Sequence, residues 1–122
     1  MNPVGWFEIP VKDMTRAKAF YEKVFSVSIS LHEMKPIQMG WFAPMEEEAY
    51  GTTGSLVQGE GYVPSLTGTR IYFSVEDIED ILKKAGKNGG RIILPKMAIG
   101  EYGFIGHFED SEGNLIGLHA MA

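Results

Sequence analysis

Apolar residues fall at every second position from Phe7 to Val11 (Phe7, Ile9, Val11) and then at 14, 17, 20, 21 and 24. The first spacing is that of a half-buried strand and the second that of a helix with one buried stripe, with Asp13 between them at the N-cap position. The same plan returns farther on. Ile71, Phe73 and Val75 alternate, Asp77 stands where Asp13 stood, and Ile78, Ile81, Leu82 and Ala85 form a second helical stripe. Val11 to Val75 and Asp13 to Asp77 share one offset, 64, so the pattern reads as an internal duplication.

The remaining segments complete each half. Strands are expected at 4–11, 27–34, 37–43 and 54–58 around a helix from 13 to about 25, and at 69–75, 91–94, 102–109 and 115–120 around a helix from 77 to about 88. Gly89-Gly90 stops the second helix, Pro95 breaks the strand that follows, and 59–68 (GEGYVPSLTG) is a hinge between the halves. Both halves read βαβββ. Positions 54–58 match 113–117 at an offset of 59, and 39–42 match 102–105 at 63. The acidic run Glu46-Glu47-Glu48 reads as a solvated connection.

At 122 residues the chain is long enough for one real core, so a single domain over 1–122 is expected, with modules about 1–60 and 68–122. A net charge of −5 and no basic stripe with interleaved aromatics speak against nucleic acid as a partner. The absence of cysteine excludes disulfides and thiolate metal sites, and no apolar run approaches the ~20 residues of a membrane span. A soluble cytoplasmic protein is expected.

The two βαβββ modules, each with strand-x-Asp at the helix start, the FYEKVF helix end, Gly-Gly after the second helix and DSEGNLI before the last strand, resemble the vicinal oxygen chelate superfamily. That superfamily includes glyoxalase I, bleomycin-resistance proteins and extradiol dioxygenases. FEIPVKD and HFEDSEGNLIGLH look most like its glyoxalase-related proteins of uncharacterised activity. The resemblance implies an α+β fold in which the modules form a curved, incomplete barrel with a concave cleft and helices outside. It also implies a homodimer. Metal-using members hold their ion by one residue from the first and one from the last strand of each module, positions that carry over to Trp6, Gln58, Arg70 and Gly117. An indole, a guanidinium and a glycine give no lone pair to a divalent ion, and one amide is too weak alone, so no metal and no cofactor is expected.

Strand parity assigns the lining of that cleft. Phe7, Ile9, Ile71, Phe73, Ile116 and Leu118 take the helix side, which leaves Trp6, Glu8, Arg70, Tyr72, Gly117 and His119 on the concave side, joined by Trp41 and Phe104. A four-residue turn, Asp110 to Gly113, sets His107 opposite Ile116 and Phe104 opposite His119, so the two histidines face apart. Gly106 and Gly117 leave room for a ligand. The expected substrate-binding residues are Trp6, Glu8, Trp41, Gln58, Arg70, Tyr72, Phe104 and His119, with no catalytic residue assigned. The leading expectation is a metal-free protein that binds an aromatic or anionic small molecule. The alternative is a glyoxalase-related lyase or isomerase with Glu8 or His119 as general base and Arg70 stabilising an oxyanion.

Overall fold

The computed structural model describes residues 2–43 and 50–122; the acidic run at 46–48 lies outside them. In chain order the elements are β1 (Phe7–Pro10), α1 (Met14–Phe25), β2 (Ile29–Met34), β3 (Ile37–Phe42), β4 (Gly54–Gln58), β5 (Tyr72–Ser74), α2 (Ile78–Lys87), β6 (Arg91–Ala98), β7 (Phe104–Glu109) and β8 (Leu115–Ala120). Both helices start as the sequence requires. The Asp13 carboxylate accepts the Arg16 backbone N–H, and Asp77 accepts that of Asp80, each at 3.1 Å.

The strands form two four-stranded sheets, ordered β1-β4-β3-β2 and β5-β8-β7-β6. In each, the first strand pairs parallel to the last of its module and the other pairings are antiparallel. This is an α+β fold made of two βαβββ modules. Helix α1 packs on β3 and β4, α2 packs on β6, β7 and β8, and the helices touch each other. The helix-facing side chains of both modules therefore close on one core. Phe20 of α1 meets Phe108 of β7, and Phe73 of β5 meets Phe7, Phe42, Tyr21 and Phe25.

Register shows how the duplication is laid out. Glu8 pairs with Ser55 and Tyr72 with Gly117, while Trp41 pairs with Ser55 and His107 with Gly117. The offset is thus 64 at the first strands, 66 from Trp41 to His107, and 62 from Ser55 to Gly117. The expected offsets of 59 and 63 for the later strands are corrected accordingly. Gly40-Trp41-Phe42 is the counterpart of Gly106-His107-Phe108. Both glycines are seats for a helix residue: a Cβ on Gly40 would stand 3.0 Å from Met14 Sδ, and one on Gly106 would stand 2.8 Å from Ile78 Cγ2. Gly106 therefore leaves no room for a ligand.

Pro95 does not break β6, which runs on to Ala98. The strand lies on a sheet edge, and its register shifts between Ile92 and Leu94 and again between Leu94 and Met97. An edge position with bulges is where a residue lacking the N–H donor is tolerated.

Candidate functional site

The DSEGN turn decides which side chains reach the outer faces, the faces turned away from the helices. Asp110 and Asn114 close it by a backbone bond (Asp110 N–H to Asn114 O, 2.9 Å), and Asp110 Oδ1 accepts the N–H of Glu112 and of Asn114. Gly113 takes φ +99°, the left-handed region that completes such a turn. Glu109 consequently pairs with Leu115, one residue later than a four-residue turn gives. Every side chain of β7 is thereby moved to the other face.

This slip overturns two expectations. Phe104 pairs with buried Ala120 and packs against the core, so it belongs to the helix side and lines no outer face. His107 pairs with Gly117 and shares the outer face with His119, so the two histidines do not face apart. On that face the Tyr72 hydroxyl and His107 Nε2 are 2.8 Å apart. The Tyr72 ring lies over Gly117, where a Cβ would come within 2.6 Å of it, so the space left by this glycine is already filled. Arg70 has the parity of Tyr72 and is exposed. Burial, and then the charge of Arg70, push the His107 imidazole below its ordinary range. His119 Nε2 donates to the Tyr102 carbonyl at 2.7 Å, which leaves Nδ1 without its proton when the ring is neutral.

The outer face of the first sheet has other chemistry. Glu8, Ser55 and Trp41 stand side by side across β1, β4 and β3. His32 stacks on the Trp41 ring at 3.8 Å between centroids, and Trp6 meets Trp41 edge-on at 6.2 Å. The Trp41 Nε1 and Ser55 Oγ atoms are buried with no hydrogen-bond partner among the described residues.

Gln58 is not on this face. Its Oε1 accepts the Met14 N–H at 2.7 Å, so it is spent on the start of α1. The matched position on the outer face is Ser55, opposite Glu8 as Gly117 is opposite Tyr72. The letter match of 54–58 with 113–117 concealed this. The signal that carries it is Gly-x-Phe at 40–42 and 106–108, which gives the correct offset for β3 and β7.

The expected lining is also split. Among the described residues no hydrogen bond, ion pair or ring contact joins Trp6, Glu8 or Trp41 to Arg70, Tyr72 or His119, and Glu8 and Arg70 are not an ion pair. The expected lining residues thus lie on two separate sheets. Between the two halves, at the free edges of β1 and β5, lies a hollow of about 600 Å³ whose lining includes Val4, Phe7, Ile71, Tyr72, Phe73 and His119.

Residues 4–118 match the family model of the Glyoxalase/Bleomycin resistance protein/Dioxygenase superfamily. The chain belongs to this superfamily. A Mycobacterium tuberculosis protein named "Putative glyoxylase CFP32" is 26% identical over 120 residues, 93% of this chain and 44% of its own. The chain thus spans less than half the length of that relative. A "Glyoxylase-like domain-containing protein" of Didymella fabae is 24% identical over 91% of this chain and 88% of its own. Among solved structures, a glyoxylase/bleomycin resistance protein/dioxygenase domain from Frankia sp. EAN1pec has a TM-score of 0.74 at 16% identity, covering 98% of each chain. Glyoxalase I from Zea mays has a TM-score of 0.72 at 17% identity over 98% of this chain and 46% of the maize chain. At these identities the structures establish the fold. No helix of the described residues is long and apolar enough to cross a membrane.

With register in place of letter matching, Ser55 replaces Gln58 as the counterpart of Gly117, so the positions that the resemblance implies for metal ligands fall at Trp6, Ser55, Arg70 and Gly117. A permanently charged guanidinium repels a cation, an indole and a glycine offer no donor, and a lone serine hydroxyl is a weak ligand. No three His, Asp or Glu residues elsewhere among the described residues are grouped to hold an ion. These side chains do not fit a divalent metal.

Proposed function

We propose that this chain is a small-molecule-binding member of the superfamily that works without a resident metal and takes a planar, conjugated anion. One observation carries the reading: Arg70 stands exposed at a former ligand position and is not paired with Glu8. A guanidinium offers a planar fork to a carboxylate or enolate and keeps its charge at any physiological pH, so it supplies the electrostatic part of a metal's role. Trp6 and Trp41 supply aromatic surface for the ligand's ring. The enzymatic alternative keeps both candidate bases, since Glu8 is not spent on Arg70 and His119 has a free Nδ1, but it gains less because no hydrogen bond or ion pair among the described residues joins either base to Arg70.

The proposal includes a homodimer. Separate half-clefts and the free edges of β1 and β5 beside an apolar hollow favour a second copy that brings the first module of one chain against the second module of the other. The cysteine-free sequence fits a cytoplasmic protein. The test is a titration of tryptophan fluorescence with benzoate and with its neutral isostere benzamide, on wild type and Arg70→Ala, alongside sedimentation. Benzoate is expected to quench wild type alone, on a dimer. Equal binding by Arg70→Ala removes the anion reading, and a monomer at micromolar concentration removes the shared cleft.

A further inference from the structure

The anion-binding reading needs more than Arg70. A lone exposed guanidinium gives charge but little orientation, and the side chain that could orient a ligand beside it is Tyr72, two residues on, whose hydrogen-bond partner His107 feels the Arg70 charge. Tyr72 is 45% exposed, yet its ring is fixed: it lies over Gly117, and its hydroxyl is 2.8 Å from Nε2 of His107, which is only 9% exposed. The hydroxyl has one proton and the imidazole, when neutral, has one N–H. If Tyr72 donates to His107, it has nothing to give a ligand. If Nε2–H donates to Tyr72 Oη instead, the phenolic proton is free, and a second oxygen outside can accept it.

We infer that Tyr72 is a ligand-binding residue that donates its hydroxyl proton to the anionic oxygen held by Arg70, and that His107 is the positioning residue that sets the direction of that proton. The inference rests on the anion reading above. An anion at Arg70 favours the tautomer with Nε2–H, because only that one turns the Tyr72 proton outward. A protonated imidazole has no choice, since both of its nitrogens are donors. Protonation of His107 therefore locks Tyr72 as a donor and adds a positive charge beneath it.

A pH dependence follows, and its other sources are few. Tyr72 meets His107 from β5, the charge of Arg70 acts on it from the segment before that strand, and His119 lies two residues beyond Gly117 on β8. The partner of His107 on β6 is Leu94, and on the same strand as His107 Glu109 is engaged by Arg91 at 2.6 Å. Among the described groups on this face, His107 and His119 are the imidazoles, and the His119→Gln variant tells them apart. Burial and Arg70 place His107 lower than an ordinary imidazole.

The experiment is calorimetric titration of benzoate, with benzamide as neutral control, between about pH 5 and 8, a range in which benzoate stays ionised. The proteins are wild type, Tyr72→Phe, His107→Gln, His107→Phe, His119→Gln and Arg70→Ala. Tyr72→Phe should weaken benzoate about tenfold or more, the usual loss of a hydrogen bond to a charged group. His107→Phe should weaken it comparably, whereas His107→Gln, whose amide N–H can still donate to Tyr72, should retain most of the affinity. Wild type and His119→Gln should bind more tightly as pH falls, and His107→Gln should lose that slope. Wild-type affinity in Tyr72→Phe, or a pH slope that survives in His107→Gln, overturns the inference while leaving Arg70 as the anchor. Benzoate binding undiminished in Arg70→Ala, or absent from wild type, removes the anion reading and this inference with it. His107→Gln keeps the test open if His107→Phe does not fold.

Discussion

The two modules agree on one side and differ on the other. Toward the helices, Asp13 and Asp77 cap, Gly40 and Gly106 seat Met14 and Ile78, and Phe42, Leu56 and Phe108, Leu118 fill equivalent places. On the outer faces the equivalent pairs are Glu8 and Tyr72, Trp41 and His107, Ser55 and Gly117, Val57 and His119, with no type in common. Packing constrains the shape of a side chain on one side, whereas the other is free to take on ligand chemistry. An acid and two indoles on one outer face, against a guanidinium, a phenol and two imidazoles on the other, are complementary sets, which is what the proposed shared cleft needs.

The largest effect should come from the turn that binds the modules together. Glu112 is buried, and its carboxylate accepts the N–H groups of Lys12 and Asp13, the Arg16 guanidinium at 2.7 and 2.9 Å, and the Ser111 hydroxyl. Glu112→Ala leaves two backbone donors and a guanidinium unmatched. We expect a loss of about 3 kcal/mol in urea unfolding, discounted because Arg16 is half exposed. A change below ~1 kcal/mol would mean that the turn does not join the modules.

Next are the two glycine seats. An added Cβ at Gly106 meets the stiff, β-branched Ile78 at 2.8 Å, whereas at Gly40 one of the two 3.0 Å contacts is the flexible Met14 thioether. Gly106→Ala should cost about 2 kcal/mol and Gly40→Ala about 1, within the range for overpacking. Equal costs would show that the modules tolerate strain alike.

Acid should act on the molecule in two stages. Burial raises the Glu112 value, but bonds from Arg16, the Asp13 N–H, Ser111 and the Lys12 N–H outweigh it and hold the carboxyl below its usual range. Its contribution is therefore full above about pH 4.3 and is lost as pH falls through the folded value. His107, also depressed, contributes fully above about pH 6.5 and less as pH falls, because the unfolded chain takes up the proton more readily. Urea midpoints followed against pH should fall first with His107 and then with Glu112. His107→Gln should abolish the first stage and Glu112→Gln the second.

Elements were legible in the sequence, and register was not. Alternation and turn residues located the strands, the 64-residue offset matched the first strand and helix of each module, and both aspartate caps formed as expected. The turn length could not be read from DSEGN, because its four- and five-residue forms use the same residues. The choice rests on the buried pairing of Asp110 with Asn114 and on contacts to Pro10 and Tyr21, far away in sequence. One residue of register carried Phe104 inward and His107 outward. Gln58 was misplaced for a related reason, since matching glycines and leucines cannot tell which neighbour a strand pairs with.

The smallest expected effect on stability is the one that most sharpens the contrast between the faces. Arg70 precedes β5, is exposed and enters no ion pair among the described residues, so Arg70→Ala should leave the unfolding midpoint within about 0.5 kcal/mol of wild type. It should nevertheless be felt locally. His107 is lowered first by burial and second by the charge of Arg70, so removal of the guanidinium deletes the second cause and keeps the first. The imidazole should then titrate higher than in wild type and still below an ordinary histidine. The measurement is the pH dependence of the His107 ring resonances by NMR in both proteins, with Tyr72→Phe as a third. An unmoved resonance in Arg70→Ala would separate Arg70 from the Tyr72–His107 pair, and the outer face of the second module would no longer be one site.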